Sequence, residues 1–130
     1  MRSTLSRIIL AASGVLLAFI GMSLLLAPMS FLEASRIHIE ANPSLLSELS
    51  APSGVLLLTG SIMLGGTFFP RWTSFGFSAG VVVYGTYGLS RLIGFVAHGL
   101  PSTSLVMAAI LELGIALLLF LVRGRDTALT

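Results

Sequence analysis

Four long apolar stretches dominate the sequence and restrict the folds open to it. They cover residues 8–27, 46–69, 74–97 and 103–122. A helix that spans a membrane needs roughly 17 to 25 predominantly apolar residues. The first, third and fourth stretches meet that length directly, and the second meets it only by extending back from Gly54 through Leu46. Because backbone polar groups in lipid must be satisfied within the segment, an apolar stretch in a membrane is expected to be helical. The sequence therefore predicts an all-α, four-transmembrane-helix bundle that forms a single domain, residues 1–130.

The composition indicates a protein that is surrounded by lipid rather than by water. Of the 130 residues, 55% are hydrophobic and only 9% are charged, whereas a soluble domain has about 25% charged residues. The chain contains no cysteine, which excludes disulfides and thiolate metal sites. Its seven basic residues are scattered, so we expect no nucleic-acid partner. The two histidines are far apart in the sequence, and we predict no metal or other cofactor.

Helix signals occur between the first two stretches and at the start of the second. Ser30 and Glu33 form an S-x-x-E capping box, which predicts a short helix lying at the membrane interface. Asn42 and Pro43 suit the start of a long helix, with asparagine as N-cap and proline in its first turn. Pro52 lies inside that helix and is expected to kink it, because its ring clashes with the carbonyl four residues earlier.

Arginine placement predicts the orientation of the four spans. Arg2 and Arg7 precede the first span, Arg71 lies between the second and third, and Arg123 and Arg125 follow the fourth. The connections on the opposite side contain a single arginine. Because cytoplasmic segments carry an excess of arginine and lysine, the N-terminus and the C-terminus are both expected in the cytoplasm.

Small residues mark the faces on which the first two spans are expected to pack. Helices in lipid gain little from hydrophobicity, so their contacts depend on close approach through small side chains. Each span carries such residues at helical spacing, which predicts a compact bundle. They are Ala11, Gly14, Ala18 and Gly21 in the first span, and Gly54, Ser61 and Gly65 in the second.

Three ionisable residues, Glu48, Arg91 and Glu112, occupy or border the apolar stretches. An unpaired charge in the bilayer costs at least about 2.5–3.5 kcal/mol, so such residues normally face the bundle interior and find partners. Arg91 lies seven residues before His98, and Glu112 lies ten residues after Ser102. These spacings place the two charges roughly 10 and 15 Å from the same end of neighbouring antiparallel helices. We predict an ion pair between Arg91 and Glu112.

One face of the third span is polar over its second half. At about 100° per residue, Tyr84, Tyr87 and Arg91 fall on a common arc, and tyrosine hydroxyls that faced lipid would lack partners. We therefore predict a polar pocket in the outer half of the bundle, with a purely structural ion pair as the alternative. The candidate ligand-binding residues or buried polar network are Glu48, Tyr84, Tyr87, Arg91 and Glu112, with His98 and Ser50 as candidate rim residues.

Three segments of the sequence match the pattern of a known family. They are LLSELSAPSGVLLLTG, GLSRLIGFVAHGLPS and LELG, and they contain Glu48, Arg91, a G-x-P turn at residues 99–101, and Glu112. The pattern resembles a bacterial membrane family named domain of unknown function 4345, over roughly residues 17–122. The resemblance implies four spans in a bacterial plasma (inner) membrane and supplies no activity.

The sequence favours a non-enzymatic membrane protein that binds a small or lipid-like molecule in this pocket, or that serves as an accessory subunit. Two alternatives stay open. One is an oligomer that transports protons or small solutes through Arg91 and Glu112, and the other is an enzyme that modifies lipid or quinone through Glu48 and Glu112. The expected partners are the lipid bilayer and either further copies of the chain or a larger membrane complex. No Walker, dinucleotide-binding or H-E-x-x-H motif selects a reaction class.

Overall fold

The computed structural model describes residues 3–129, with side chains described for residues 3–125. Arg2, used in the orientation argument, lies outside the described residues. Within residues 3–129 the chain forms five helices and no strand. Four of them are long and apolar enough to cross a membrane, which confirms the all-α class and the four apolar helices. The helices are α1 (Thr4–Leu26), α2 (Pro28–Ala34), α3 (Pro43–Phe68), α4 (Pro70–His98) and α5 (Thr103–Leu129).

The two helix starts predicted from local signals have different outcomes. Helix α3 begins as predicted, because the side-chain oxygen of Asn42 accepts a 2.9 Å hydrogen bond from the backbone nitrogen of Leu45. The capping-box prediction for α2 is wrong. That helix begins at Pro28, two residues before Ser30, and its N-cap Ala27 makes no side-chain cap hydrogen bond. Proline suits this first turn because its φ is already helical and its missing N–H has no intrahelical partner to lose.

The four long helices form a bundle in which three of the four sides are closed. Helix α1 packs along α3, α3 packs along α4, and α4 packs along α5. Helices α1 and α5 face each other on the fourth side but contact each other at few points. We call this fourth side the α1–α5 gap.

Close approach of α1 and α3 depends on glycine. A Cβ atom at Gly60 would lie 2.5 Å from the backbone nitrogen of Ala18, and one at Gly21 would lie 2.6 Å from the backbone nitrogen of Leu57. Both distances are shorter than van der Waals contact, so a side chain at either position would push the two backbones apart. We call this contact the α1–α3 seam.

The small residues predicted to form the packing face of the second span do not pack against another helix. In the first span the predicted glycines, Gly14 and Gly21, do lie against α3. No atom lies within 4 Å of a Cβ at Gly54 or Gly65, and Ser61 is exposed. Helix α3 instead turns Ser53 and Gly60 inward, and both are buried. Small residues occur on two faces of α3, so their spacing alone does not select the face that packs.

The two halves of the bundle differ in packing. The terminal half contains the chain ends and the turn between α3 and α4, and the loop half contains α2 and the turn between α4 and α5. In the terminal half, four large apolar side chains, one from each long helix, have no exposed surface and fill the interior. They are Leu10, Met63, Phe77 and Leu119.

Candidate functional site

A cavity of about 200 Å³ lies in the loop half of the bundle. Helix α1 forms one wall, α4 and α5 form the opposite walls, and α2 covers one end with Phe31 and its C-cap residue Ser35. The hydroxyl of Ser102, just before α5, donates a 3.1 Å hydrogen bond to the backbone carbonyl of Ser35. This bond ties the end of α2 to the start of α5, so α2 bridges the α1–α5 gap at its end.

The cavity exists because α1 and α5 do not close on each other. Leu16, Leu17, Ile20 and Leu24 line it from α1, and most of its remaining wall is also apolar. On the α5 side the lining residue Leu111 is 52% exposed on the surface of the bundle. The cavity is therefore open on a side that faces lipid if the four helices cross a membrane.

The Arg91–Glu112 pair forms one polar corner of this cavity. The Nε of Arg91 lies 2.8 Å from the Oε2 of Glu112, and the two side chains are 32% and 16% exposed. The ion pair predicted from the sequence is thus confirmed. Gly88 permits it, since a Cβ there would lie 2.5 Å from the Cγ of Leu113, and its absence lets α5 approach α4 closely. Glu112, the neighbour of Leu113, is thereby brought to Arg91.

Hydrogen-bonding capacity remains in this corner after the ion pair has formed. Arg91 uses only its Nε, and its two terminal nitrogens have no hydrogen-bond partner among the residues that the structure describes. Tyr87 lines the same cavity, and its hydroxyl is likewise without a hydrogen-bond partner among the described residues. A guanidinium carries five N–H donors, so four remain for a bound molecule.

Tyr84 closes the bottom of the cavity and does not share the free hydrogen-bonding capacity of Tyr87. Its hydroxyl donates a 2.6 Å hydrogen bond to the backbone carbonyl of Ser13 in α1, and the residue is only 2% exposed. From the sequence, Tyr84 was predicted to belong to the ligand-binding residues or buried polar network of the pocket. The observed bond connects α4 to α1, and the ring packs on the core of the terminal half. Tyr84 therefore separates the cavity from that core.

Glu48, Ser50 and His98 do not line the cavity. Glu48 and His98 are exposed, and the exposed Ser50 donates its hydroxyl to the backbone carbonyl of Leu46. Glu48 lies five residues before the buried Ser53, which places it about 140° around α3 from the packed face. The structure thus brings together Tyr84, Tyr87, Arg91 and Glu112 and leaves the other three predicted residues outside.

Ser35 and Ser104 line the cavity and were not expected from the sequence. Ser35 reaches the cavity only because α2 folds over the end of the bundle, and no local pattern encodes that fold-back. Ser104 lies in the first turn of α5 and is exposed. The sequence offers no signal that separates these serines from the other serines of the outer connections.

The arrangement limits the chemistry open to the site. Acid–base catalysis by two carboxylates required Glu48 and Glu112 to share a pocket, and the structure places only Glu112 in it. A polar path for transport would have to continue through the terminal half, where Phe77 and Leu119 are fully buried among apolar neighbours. What the cavity offers is an apolar wall with a charge-balanced polar corner.

A family model described as Domain of unknown function (DUF4345) matches residues 5–123, nearly the whole chain. The chain belongs to this family, as the resemblance of its Glu48, Arg91 and Glu112 segments predicted. Comparisons with curated proteins and with solved structures found no match.

Proposed function

We propose that this DUF4345 protein binds a single-chain, lipid-like amphiphile that enters the cavity from the bilayer through the α1–α5 gap. The observation that carries the proposal is an apolar cavity with one polar corner that lies between α1 and α5, where few contacts close the bundle and the lining residue Leu111 is also exposed on its surface. Small-molecule sites commonly combine apolar walls with a few convergent polar groups. The apolar wall suits a chain, and the Arg91–Glu112 corner suits the polar head of the same molecule.

The size of the cavity favours one chain over two. At about 200 Å³ it is smaller than the roughly 300–1,000 Å³ of typical drug-sized pockets. A two-chain phospholipid needs far more room than this. The head and the first part of a single chain fit, and the rest of the chain extends through the gap into the bilayer.

The charge distribution supports an orientation that places this cavity near the outer leaflet. Arg7, Arg71 and Arg123 lie at the terminal half, whereas Arg36 is the one arginine beside α2. The exposed Trp72 adjoins Arg71, as expected of an aromatic anchor at a membrane interface. We accordingly place both termini in the cytoplasm, α2 at the outer interface, and the protein in a bacterial inner membrane.

The proposal describes binding rather than catalysis or transport. A binding protein of this size with a side opening is suited to present its amphiphile to a partner, so an accessory role in a larger membrane complex, or self-association, is part of the proposal. Proton or solute transport and lipid or quinone modification are the alternative functions. The separation of Glu48 from Glu112 and the apolar core at Phe77 give neither of them support.

Photolabelling in phospholipid vesicles tests the proposal. The full chain is reconstituted with a mixture of three diazirine-bearing amphiphiles of equal chain length, with neutral, anionic and cationic heads. The test then detects binding whatever the charge of the preferred head group. We expect label on the lining residues Leu17, Ile20 and Ala108, in excess of label on lipid-facing Phe19 and Phe120. In Ala108→Phe the added ring fills the cavity, and this excess is expected to fall at least about tenfold, the equivalent of roughly 1.4 kcal/mol.

The matched control is Ala12→Phe, the same substitution on the exposed surface of α1. It should keep the wild-type labelling pattern. Ala108→Leu provides a smaller filling residue if the phenylalanine variant does not fold, and an intermediate loss is expected of it. Equal label on lining and lipid-facing residues in the wild type would contradict the proposal, as would an excess unchanged in both Ala108 variants.

A further inference from the structure

We infer that the cavity selects an amphiphile with a neutral head that both accepts and donates hydrogen bonds, such as the glycerol ester of a monoacylglycerol, over a charged head. This inference rests on the proposed function and names the ligand class of the same site. It follows from the polar groups left available at the Arg91–Glu112 corner and from their summed charge.

The donors of the corner call for acceptor oxygens. The terminal nitrogens of Arg91 and the hydroxyl of Tyr87 have no partner within the described part of the chain. Polar groups removed from water without a partner are costly, and hydrogen bonds to a charged group are the stronger ones. An ester or ketone oxygen placed between Arg91 and Tyr87 would satisfy donors from both residues.

The acceptor of the corner calls for a hydroxyl. Glu112 engages Arg91 through Oε2, and its Oε1 has no hydrogen-bond partner among the residues described. A carboxylate oxygen is acceptor-only when ionised, so it requires a donor from the ligand. A head that carries a carbonyl and a hydroxyl a few bonds apart therefore matches both sides of the ion pair.

The charge balance of the corner disfavours ionic heads. Arg91 and Glu112 are in contact at 2.8 Å and together contribute no net charge. An anion that approaches Arg91 also approaches Glu112, and a cation that approaches Glu112 also approaches Arg91. The attraction is then largely cancelled, while the cost of removing the ligand charge from water remains. A neutral head forms the same hydrogen bonds without that cost.

Ranking three amphiphiles by head group tests the inference. The probes are a monoacylglycerol, an alkylsulfonate and an alkylammonium of equal chain length, each competed separately against photolabelling of the cavity in the full chain. We expect wild type to bind the monoacylglycerol at least about tenfold more tightly than either ion, because an ionic head loses its hydration without a net electrostatic gain at the neutral ion pair.

Two variants that each remove one charge reverse this preference if the charge balance is its cause. Glu112→Gln leaves the arginine uncompensated, and the alkylsulfonate should become the tightest of the three probes. Arg91→Gln leaves the glutamate uncompensated, and the alkylammonium should become the tightest. Tyr87→Phe removes a donor without changing the charge, and it should weaken monoacylglycerol binding without changing the rank order.

The wild-type ranking decides the inference without any variant. If an ionic probe binds wild type as tightly as the monoacylglycerol, the neutral-head inference is overturned while the proposed binding function survives. A rank order that both glutamine variants leave unchanged overturns it as well. If none of the probes labels the cavity of the wild type, the proposed function fails and the inference fails with it.

Discussion

Helix α1 meets its two neighbours in opposite ways. Along the α1–α3 seam the backbones approach so closely that a Cβ at Gly60 would lie 2.5 Å from the nitrogen of Ala18. Across the α1–α5 gap the helices contact each other at few points, and a cavity of about 200 Å³ separates them in the loop half. The same apolar helix therefore supplies one side of a structural contact and one wall of a candidate binding site.

The difference between the seam and the gap lies in their residues. Glycine and serine line the seam, and close backbone approach supplies the dispersion contacts that hold helices together in lipid. The gap contains leucines of α1 opposite Arg91, Glu112 and Tyr87, whose polar groups bond to each other or remain available rather than packing on α1. Packing holds the bundle together on one side and leaves a cavity on the other.

The largest expected effect comes from blocking the seam. Gly60→Leu forces a side chain against backbone atoms of α1. Unlike a flexible side chain, these backbone atoms cannot move aside by rotating about a bond. Overpacking usually costs about 1–3 kcal/mol and more where the backbone must move, so we expect a loss of at least about 3 kcal/mol. The free energy of unfolding, measured by detergent titration, checks this.

Two matched variants complete that comparison. Gly65→Leu adds the same side chain to α3 where nothing lies within 4 Å of the Cβ, and it should change stability by less than about 1 kcal/mol, as surface substitutions usually do. Ala108→Leu, which points into the cavity across the gap, should be tolerated to the same extent. Equal losses in Gly60→Leu and Gly65→Leu would show that the seam is not close-packed.

The next largest effect is expected from separating the ion pair. Arg91→Leu leaves Glu112 without its partner. Removing one member of a fully buried pair costs about 3–5 kcal/mol, and because Arg91 and Glu112 are 32% and 16% exposed, we expect about 2 kcal/mol. The double variant Arg91→Leu/Glu112→Leu should return to within about 1 kcal/mol of wild type, since leucine pairs are well accommodated in such sites.

A double-mutant cycle measured by thermal unfolding reports this coupling. If the loss in the double variant equals the sum of the two single losses, Arg91 and Glu112 do not stabilise each other. A double variant that is stable but no longer labels in the cavity would show that the pair serves binding rather than helix register.

The smallest effect concerns the two tyrosines that border the cavity. Tyr84→Phe removes the 2.6 Å hydrogen bond to the carbonyl of Ser13 and should cost about 1 kcal/mol, within the usual 0.5–1.5 kcal/mol for such bonds. Tyr87→Phe removes a hydroxyl that has no partner in the described chain and should leave thermal stability unchanged. Equal stability of the two variants would contradict the roles assigned to these residues.

Much of the fold follows from the sequence because bilayer energetics act on local segments. The four apolar helices need only length and composition, and the start of α3 at Pro43 needs only the Asn42 cap. The Arg91–Glu112 pair could also be predicted from the sequence, because a short turn makes α4 and α5 antiparallel neighbours. Arg91 and Glu112 lie about one helical turn apart in their distance from that turn, an offset that the long arginine side chain spans.

Features that depend on helix rotation or on distant contacts could not be predicted. Small residues lie on two faces of α3, and only packing against α1 selects the face of Gly60 and thereby turns Glu48 outward. The partner of Tyr84 is a backbone carbonyl at Ser13, 71 residues away, and a backbone acceptor leaves no mark in the sequence. The α1–α5 gap is likewise a property of the assembled bundle.

The central claim is that the head of a neutral single-chain amphiphile lies against Arg91 in the cavity of the loop half. Solid-state NMR of the chain in phospholipid vesicles measures it directly, with ¹⁵N-labelled arginine and a monoacylglycerol labelled with ¹³C at its ester carbonyl. A hydrogen bond of about 2.9 Å to the ester oxygen predicts a nitrogen–carbon distance of about 4 Å, and the dipolar coupling should vanish in Arg91→Gln. If wild type shows no such coupling, or if the coupling persists in Arg91→Gln, the head does not lie at Arg91 and the account is wrong.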